Sequence, residues 1–282
     1  MRPIHVTAFA LAVAVAALAA VGYRNATDRP IVRRLTVHVA DYPATARPLR
    51  IALFSDLHVQ APDMPPERVE RIVEQVNALR PDIDIIAGDF LGHSFPGSGY
   101  SIRATVAPLT KLKTRLGAYA VLGNNDYQFR AVVQALEDAG VDVLMNEATE
   151  VGPLALGGLD GRLAHSRPAN EIARRRTYAA MARLPGIKVL IAHRPDEVEF
   201  APAGVSLVLA GHTHCGQIVL PLFGPLLTGS DYGRRYACGV YRVGAKLLLV
   251  TAGLGTSHLP VRIGAPPDIW LISIVGKDRQ QG

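Results

Sequence analysis

Histidines that could bind metal ions follow one short apolar run in a distinctive arrangement. The run in residues 208–214 stops at Gly211, and His212 and His214 follow with one residue between them. Alternate residues of a strand point to opposite faces, so the two imidazoles are badly placed to bind one metal ion while the backbone stays extended. Gly211 is expected to give the chain the freedom to leave the strand. The spacing raises the question of which other side chains complete such a site.

Polar residues that can bind metals recur after other predicted strands. They are Asp56 and His58 after 49–54, Asp89 after 83–87, Asn124 after 118–122, His193 after 187–192, and His212 and His214 after 205–210. In parallel α/β sheets, binding sites assemble from loops at the carboxyl ends of strands. Asp and Asn are common in turns by themselves. Seven such donors after five strands nevertheless predict one shared site.

The types of donor indicate chemistry on phosphate groups. A phosphoester is anionic and resists attack by water. Two cations about 3.5–4 Å apart can generate hydroxide near neutral pH and clamp the phosphoryl oxygens. A shared carboxylate is a natural bridge between two such cations. Mixed His, Asp and Asn ligation suits manganese, iron or zinc better than calcium or magnesium, so we expect two divalent ions of these kinds.

The elements that must position these donors alternate between strand and helix in the first half of the chain. Apolar residues at helical spacing after Pro65 predict a helix that ends at Pro81. Further helices are predicted over 102–112, 129–139 and 171–183. The second half is predicted to be richer in strands, which include 143–144, 153–157, 217–220, 246–251 and 269–274. This alternation is typical of parallel βαβ units in a layered α/β domain.

Composition limits the size, the class and the partners of the protein. The 282 residues, 49% of them hydrophobic, are enough to bury one large core. Thirty Lys and Arg residues against 24 Asp and Glu give a net charge of +6, which suits phosphorylated substrates or an anionic membrane surface. No stripe of basic residues interleaved with aromatic ones is present, so nucleic acid is not an expected partner. The sequence leaves the oligomeric state open.

The chain has two cysteines, Cys215 and Cys238. Two thiols do not make a disulfide framework, and Cys215 is expected to be a small buried thiol. Because it directly follows His214, Cys215 is an alternative metal ligand. Phosphate chemistry favours oxygen and nitrogen donors over a thiolate, so that alternative is the weaker one.

The N-terminal segment is apolar between Arg2 and Arg24. Its Ala/Val/Leu-rich run over 6–22 lies at the lower edge of the length of about 20 residues that a membrane span requires. We predict an uncleaved anchor over 1–23, and the small residues at 17–19 leave a cleaved signal peptide as the alternative. The arginines that follow slightly favour a cytoplasmic domain, whereas a signal peptide favours export.

Five separated motifs together resemble the calcineurin-like metallophosphoesterase superfamily. They are Asp56-Leu57-His58, Gly88-Asp89, Gly123-Asn124-Asn125-Asp126, His193 and Gly211-His212-Thr213-His214. The resemblance spans about residues 49–275 and implies a four-layer α/β/β/α sandwich with metal ions at the carboxyl ends of the strands. Motifs over 211–217, 235–236 and 252–262 look like the bacterial membrane-associated branch. Members of that branch are associated with UDP-2,3-diacylglucosamine hydrolysis in lipid A synthesis, or with other roles in the cell envelope.

The resemblance implies a ligand set for each of two metal ions. The first ion would be bound by Asp56, His58 and His214, the second by Asn124, His193 and His212, and Asp89 would bridge them. His212 and His214 would then bind different ions, which removes the difficulty of their spacing. The implied organisation is an anchor over 1–23, a linker over 24–48, a metallophosphoesterase domain over 49–276 and a tail over 277–282.

Asn125 departs from the family pattern, which usually has a histidine at this position. Asparagine can donate a hydrogen bond to a phosphoryl oxygen but cannot deliver a proton to a leaving group. Losing a general acid costs ~10²–10⁴ in rate when the leaving group is poor, so a pyrophosphate bond would suffer least. We therefore expect a phosphoanhydride such as UDP-2,3-diacylglucosamine. Asn125 and Asp126 are the predicted catalytic residues, with Asp126 holding Asn125 or a water, and Asn125 and Arg262 are predicted to bind substrate.

Other functions remain open from the sequence. The domain, attached to a bacterial inner membrane, could instead be a general phosphodiesterase or phosphomonoesterase on nucleotides or envelope polymers. It could also be an inactive family member that binds an anion. His93 and His165 are expected to have no role in the site, whereas His258 could approach it. Arg235 is a weaker candidate for clamping an anionic substrate.

Overall fold

A computed structural model describes residues 3–92, 94–161 and 167–276. The tail predicted over 277–282 lies outside the described residues, and so do His93 and His165. The described part folds around two six-stranded sheets that pack face to face.

The first sheet carries the donors of the N-terminal half. Its strands, from edge to edge, are β1 (Ile31–Val39), β14 (Asp268–Gly276), β2 (Leu49–Phe54), β3 (Ile83–Ile86), β4 (Ala118–Ala120) and β5 (Val141–Val143). Strands β2 to β5 are parallel, so their carboxyl ends lie along one edge. Strand β14 runs antiparallel to β2 and parallel to β1.

The second sheet carries the three histidines of the C-terminal half. Its strands, in order, are β12 (Gly239–Val243), β13 (Lys246–Val250), β9 (Leu207–Ala210), β8 (Ile187–Ala192), β7 (Leu154–Leu159) and β6 (Glu147–Val151). The four central strands are parallel, and both edge strands pair antiparallel. His193 and His212 directly follow β8 and β9, so they emerge at the same end of the sheet.

Helices cover the outer faces of both sheets. The helices α2 (Pro66–Ala78), α3 (Ile102–Val106) and α4 (Phe129–Asp138) pack on the first sheet, and α5 (Arg167–Arg183) packs on the second. Between the sheets lies an apolar core, to which residues such as Ile51, Ile85, Val189 and Leu209 contribute fully buried side chains. The predicted four-layer α/β/β/α sandwich is therefore confirmed.

A 25-residue helix, α1 (Pro3–Thr27), precedes the sandwich. Its segment Thr7–Thr27 is long and apolar enough to cross a membrane. Side chains along it are exposed, including Phe9 at 72% and Leu11 at 66%. Only its last turns pack against the domain, where the backbone N–H of Arg262 donates to the carbonyl of Gly22 at 2.8 Å.

The prediction of a linker over 24–48 is wrong for Ile31–Val39, which forms β1. The side chains of Leu35, Val37 and Val39 alternate with polar ones, and they pack against the core between the sheets. Arg33 pairs with Asp268 of β14 at 2.8 Å. The arginines in this segment obscured a period-2 apolar pattern, which is the usual sign of a strand with one buried face.

Two predicted elements are shorter than expected. The helix predicted over 102–112 ends at Val106 and continues as a 3-10 helix over Ala107–Lys111. Pro108 in that segment has no N–H to continue the α-helical hydrogen bonds. The strand predicted over 217–220 is reduced to β10 (Val219–Leu220), which pairs with β11 (Gly224–Pro225) in a small hairpin outside both sheets.

Candidate metal centre

Three of the predicted ligands form a buried cluster where β2 and β9 end. The Nε2 atoms of His58 and His214 lie 3.2 Å apart. The Oδ1 atom of Asp56 is 3.5 Å from Nε2 of His214 and 3.9 Å from Nε2 of His58. This trio is the set that the sequence analysis predicted for the first metal ion, and its atoms are close enough to coordinate one cation.

A second cluster surrounds the Nε2 atom of His193. This atom lies 3.1 Å from Oδ1 of Asn124, 3.1 Å from Nδ1 of His212 and 3.4 Å from Oδ2 of Asp89. The same carboxylate oxygen of Asp89 is 3.4 Å from Nε2 of His58 in the first cluster. Asp89 therefore lies between the two clusters, as a bridging ligand must.

Asp56 is placed closer to the second cluster than the predicted division implies. Its carboxylate can share a cation with Asp89 and His193, because ligand atoms of the three lie within 4.8 Å of one another. The structure brings all seven predicted donors together. Asp56 belongs to both clusters, so the donors do not separate into the two ligand sets that the resemblance implied.

Five of these seven residues have a backbone conformation that side chains rarely adopt. Positive φ angles occur at Asp56 (52°), His58 (43°), Asp89 (58°), His212 (72°) and His214 (50°). Such conformations cost free energy and persist where the surroundings impose them, which is common at functional sites. The strain here turns each donor out of its strand direction and towards the shared centre.

Gly211 provides space rather than the backbone freedom predicted for it. A Cβ at this position would lie 2.2 Å from Oγ of Ser55 and 2.4 Å from Oδ2 of Asp56. Its φ is not in the left-handed region, whereas that of His212 is. Gly123 has a similar role, since a Cβ there would be 2.1 Å from Oδ1 of Asp89. The expectation that Gly211 supplies backbone freedom is therefore wrong.

The hydrogen bonds of Asp56 and His193 leave donor atoms facing the centre. The hydroxyl of Ser55 and the backbone N–H of His212 both donate to Oδ2 of Asp56. Its other oxygen, Oδ1, is buried and has no hydrogen-bond partner among the described residues. Nδ1 of His193 lies 2.7 Å from the carbonyl of Ala87, which assigns a proton to Nδ1 and turns Nε2 towards the centre. An unpartnered buried oxygen among imidazole nitrogens fits a divalent cation.

The electrostatics of the centre keep two of its imidazoles neutral. Burial, reinforced by the charge of His193, lowers the pKa of His212 to about 3. Burial, together with His58 and Arg262, holds the pKa of His214 well below its usual value. Neutral imidazole is the form that binds metals.

Asp89 and His193 form an ion pair. Burial alone would raise the pKa of the Asp89 carboxyl, but the charge and hydrogen bond of His193 outweigh burial and lower it. For His193 burial opposes protonation, and the neighbouring Asp89 carboxylate nevertheless raises the pKa to about 9. Cations that bind at Asp89 would replace the proton of His193 as the positive partner.

Asp126 does not hold Asn125, and the prediction that Asp126 is a catalytic residue is wrong. Its fully buried carboxylate accepts backbone N–H groups from Gly123, Asp89, Phe90 and Leu91, at 2.8 to 3.2 Å. Burial and the charge of Asp89 raise the pKa of Asp126 to about 6, against the effect of these N–H groups. Asp126 therefore fixes the loop that carries Asp89.

Asn125 is held by Asp89 in the described structure. Its side-chain Nδ2 donates to Oδ2 of Asp89 at 2.6 Å, and its backbone N–H donates to Oδ1 at 2.8 Å. The side chain is half-buried at the rim of the centre, beside a cleft of about 650 Å³. Phe95, Tyr100 and Tyr127 are among the residues that line this cleft.

The prediction that Arg262 binds substrate is wrong. Its side chain is fully buried, and its guanidinium donates to the carbonyls of Ala252, Gly253, Gly255 and Ala265. Five guanidinium N–H groups in a rigid fork suit such a cluster of carbonyls. Nη2 also lies 3.2 Å from Nδ1 of His214. Arg262 therefore orders the loop behind His214, which is a predicted metal ligand. It does not face a substrate.

The expectation of a buried thiol at Cys215 is also wrong. Cys215 and Cys238 form a disulfide, with Cα atoms 4.9 Å apart. The bond closes the loop between the predicted ligand His214 and β12. A sulfur in a disulfide is not a thiolate, which removes Cys215 as a metal ligand.

Some residues that support the centre were not among those predicted from the sequence. Ser55 directly precedes a predicted ligand, and its hydroxyl bonds Asp56. The Nη2 atom of Arg194 donates to the carbonyl of Gly229, which lies beside His212. Arg235 pairs with Glu199 at 3.2 Å instead of facing the centre.

His258 is exposed, and no contact between it and the centre is found in the part of the chain that the structure describes. Adjacency to a predicted ligand was the available signal for Ser55 and Arg194.

The calcineurin-like phosphoesterase family profile matches residues 49–216, the segment that carries all seven donors. A transmembrane protein with a metallophosphoesterase domain from Danio rerio is 31% identical over 90% of this chain and 59% of its own length. An uncharacterized metallophosphoesterase from Bacillus subtilis, YkuE, is 28% identical over 80% of this chain and 78% of its own length. One from Aquifex aeolicus is 28% identical over 87% and 92%.

This chain thus spans about three fifths of the animal relative and most of the bacterial ones. The profile covers more than half of the chain, over the loops that form the candidate metal centre. This chain belongs to the calcineurin-like phosphoesterase family.

Proposed function

We propose that the protein hydrolyses phosphoester or phosphoanhydride bonds with two divalent cations, manganese, iron or zinc. The observation that carries this proposal is the convergence of five strained donors on one centre, four of them buried, with the Oδ1 atom of Asp56 left for a cation. Two bound cations would neutralise phosphoryl charge and activate a water molecule. In this proposal Asp56, His58 and His214 hold one cation, and Asn124, His193 and His212 hold the other, with Asp89 between them.

The test is hydrolysis of bis(4-nitrophenyl) phosphate by the full chain in detergent, with manganese added. Asp89→Ala and His212→Ala are expected to lower the rate by ~10³ or more, because each removes a ligand of a cation that would neutralise the phosphoryl oxygens. Asp41→Ala and His38→Ala are matched controls at exposed positions outside the centre. Unchanged turnover in the first pair would overturn the proposal.

A phosphoanhydride is the bond type we propose within this class. Asn125 cannot protonate a leaving oxygen, and its amide already donates to Asp89. A substrate whose leaving group is a phosphate needs such a proton least, so a pyrophosphate of the UDP-2,3-diacylglucosamine type suits the site. The rate on a nucleotide pyrophosphate is expected to exceed that on an alkyl phosphodiester by ~10² or more. Equal rates would favour a general phosphodiesterase instead.

The substrates that the protein can reach depend on the side of the membrane on which its domain lies. The disulfide between Cys215 and Cys238 favours the oxidising, periplasmic side. Disulfides persist in secreted and periplasmic proteins and are rare in the cytosol. We therefore propose that α1 anchors the domain on the outer face of a bacterial inner membrane. Arg33 is one of the arginines after α1 that slightly favour a cytoplasmic domain. Because it pairs with Asp268 within the fold, its charge is weaker evidence for the orientation in the membrane. This location narrows the proposed substrate to lipid pyrophosphates of the envelope, and it disfavours UDP-2,3-diacylglucosamine itself, because nucleotide-linked precursors are made in the cytoplasm.

Alkylation of the chain in denatured cells measures the state of Cys215 and Cys238 directly. Mass spectrometry should find no thiol adduct before reduction and two adducts after it. Two adducts without reduction would place the domain in a reducing compartment and restore cytoplasmic substrates.

A further inference from the structure

An exposed apolar hairpin stands beside the candidate metal centre. We define it as residues 219–227, which comprise β10, the turn, β11 and the two leucines after them. Leu222 is fully exposed at its tip, and Phe223 and Leu227 are 69% and 81% exposed. Single exposed apolar side chains are ordinary, but a contiguous group of large ones marks an interaction surface.

The base of the hairpin is fastened to the end of the apolar helix α1. The backbone N–H of Val219 donates to the carbonyl of Ile263 at 2.8 Å, and that of Arg262 donates to the carbonyl of Gly22 at 2.8 Å. A Cβ at Gly22 would lie 3.6 Å from the Ile263 side chain. A single short segment therefore connects the hairpin with the anchor.

The contact occurs at the end of α1 where a membrane boundary is expected. Tyr23 and Arg24 follow Gly22 directly, and aromatic and basic residues mark the ends of membrane spans. Residues before Gly22 are exposed and apolar, as lipid contact requires. The hairpin base thus lies at the level where the helix leaves the bilayer.

A second group of exposed apolar side chains is connected to the end of α1. The hydroxyl of Tyr23 donates to the carbonyl of Pro62 at 3.4 Å, and the backbone N–H of Ala61 donates to the carbonyl of Ser98 at 2.8 Å. The loop that contains Ser98 exposes Phe95 and Tyr100, at 41% and 39%. Two separate segments that expose apolar side chains are thus connected to the end of the anchor.

The chain that directly follows the hairpin contacts the metal centre. The carbonyl of Gly229, two residues after the exposed Leu227, lies 3.2 Å from Nε2 of His212. The loop with Phe95 and Tyr100 lines a cleft together with Tyr127, two residues after Asn125. Both apolar surfaces are therefore connected through short segments with residues of the centre.

We propose that the apolar hairpin lies in the surface of the bilayer that α1 crosses, so that the centre acts on phosphate groups carried by lipids at that surface. The occupant is lipid because residues 262–263 join the base of the hairpin to the end of the apolar helix α1. The exposed Arg234, whose side chain donates to the carbonyl of Phe223, suits anionic headgroups behind the tip. The substrate class rests on the proposed phosphohydrolase function. The position of the hairpin does not.

The position of the hairpin is measured by tryptophan quenching with the full chain in vesicles of phosphatidylethanolamine and phosphatidylglycerol, a fraction of them brominated near the headgroup end of the acyl chain. Leu222→Trp and, separately, Leu227→Trp report on the hairpin, and both positions are exposed enough to accept tryptophan without unfolding. The wild-type chain gives the background from Trp270, its single tryptophan. Interfacial segments sit about 5–10 Å into the headgroup and acyl boundary, so the introduced tryptophan should lose about half of its emission.

Glu137→Trp is the matched control, because Glu137 is exposed at the end of α4, next to the start of β5 and away from the carboxyl ends of the strands. Quenching of the hairpin no stronger than that of this control would overturn the proposal. So would protection of the hairpin from an aqueous quencher in detergent that rises with protein concentration, since a micelle covers the hairpin at any protein concentration whereas a second copy covers it only when the protein is concentrated.

The substrate class is tested with a double variant, Leu222→Ser with Phe223→Ser. Its rate on a lipid pyrophosphate in vesicles, divided by its rate on bis(4-nitrophenyl) phosphate, is expected to fall at least about tenfold, because two large apolar side chains no longer enter the bilayer. An unchanged ratio overturns the lipid substrate class. Loss of both rates with Asp89→Ala reports only on the proposed hydrolysis, so the two failures are distinguishable.

Discussion

Asp84 provides a quantitative test of the packing that supports the centre. It lies in β3, five residues before Asp89, between Ala52 and Ala118 of the neighbouring strands. Its side chain is buried, and neither carboxylate oxygen has a hydrogen-bond partner within the described ranges of the chain. Burial raises the pKa of Asp84 from 3.8 to about 8.

The raised pKa makes the protein less stable as the pH rises. Between about pH 4 and pH 8 the folded chain keeps the Asp84 proton while the unfolded chain releases it, so the free energy of unfolding falls over this window. Each unit of pKa difference corresponds to about 1.36 kcal/mol, which gives on the order of 4 kcal/mol at pH 7 relative to pH 4. The effect levels off above the folded pKa.

Replacing Asp84 with asparagine keeps the shape of the side chain and removes the titration. Asp84→Asn should match the wild type near pH 4 and exceed it at pH 7, by roughly 10 °C in unfolding midpoint for a domain of this size. The measurement is thermal unfolding of the full chain in detergent, at intervals from pH 4 to pH 8. Asp41→Asn, at an exposed aspartate, is the control. Parallel pH profiles for Asp84→Asn and the wild type would refute the reasoning.

Two further predictions concern the centre. Gly211→Ala should lower kcat/KM on bis(4-nitrophenyl) phosphate by ~10², because its Cβ must displace Asp56 by about 1 Å or more. Gly204→Ala, whose Cβ meets no described atom within 4 Å, should change nothing, and equal effects would contradict the steric argument. Arg262→Lys should lower the unfolding midpoint and metal content, since lysine cannot bond the same carbonyls. Excess metal should restore kcat in part with KM unchanged, whereas a raised KM at saturating metal would return Arg262 to a role in binding substrate.

The donor positions were the part of the site that the sequence predicted well. Asp56, Asp89 and His193 each follow a buried apolar strand, and the carboxyl ends of parallel strands meet at one edge. That these donors lie close together could therefore be predicted from the apolar strand directly before each of them. The distances between them, and the reach of Asp56 into both clusters, depend on how two sheets pack and are not visible in any local pattern.

Roles that depend on contacts between distant segments could not be predicted. Arg262 resembles a surface arginine in the sequence, and its burial follows from four carbonyls that the loop over 252–265 folds around it. Asp126 follows Asn125 directly, yet its carboxylate turns the other way, towards the loop of Asp89. The pairing of Cys215 with Cys238, 23 residues later, likewise needs the intervening chain to return.

By itself the sequence determined the α/β class, the apolar N-terminal helix and the strand-end positions of the seven candidate donors, because periodicity and strand-end position are local properties. Tertiary structure decided that Ile31–Val39 is an edge strand, since its partner is the last strand of the chain. It also decided what Gly211 does. A glycine after a strand suggests backbone freedom, whereas here the side chains of Ser55 and Asp56 occupy the space of a Cβ. Only the packing of the two sheets brings those side chains to it.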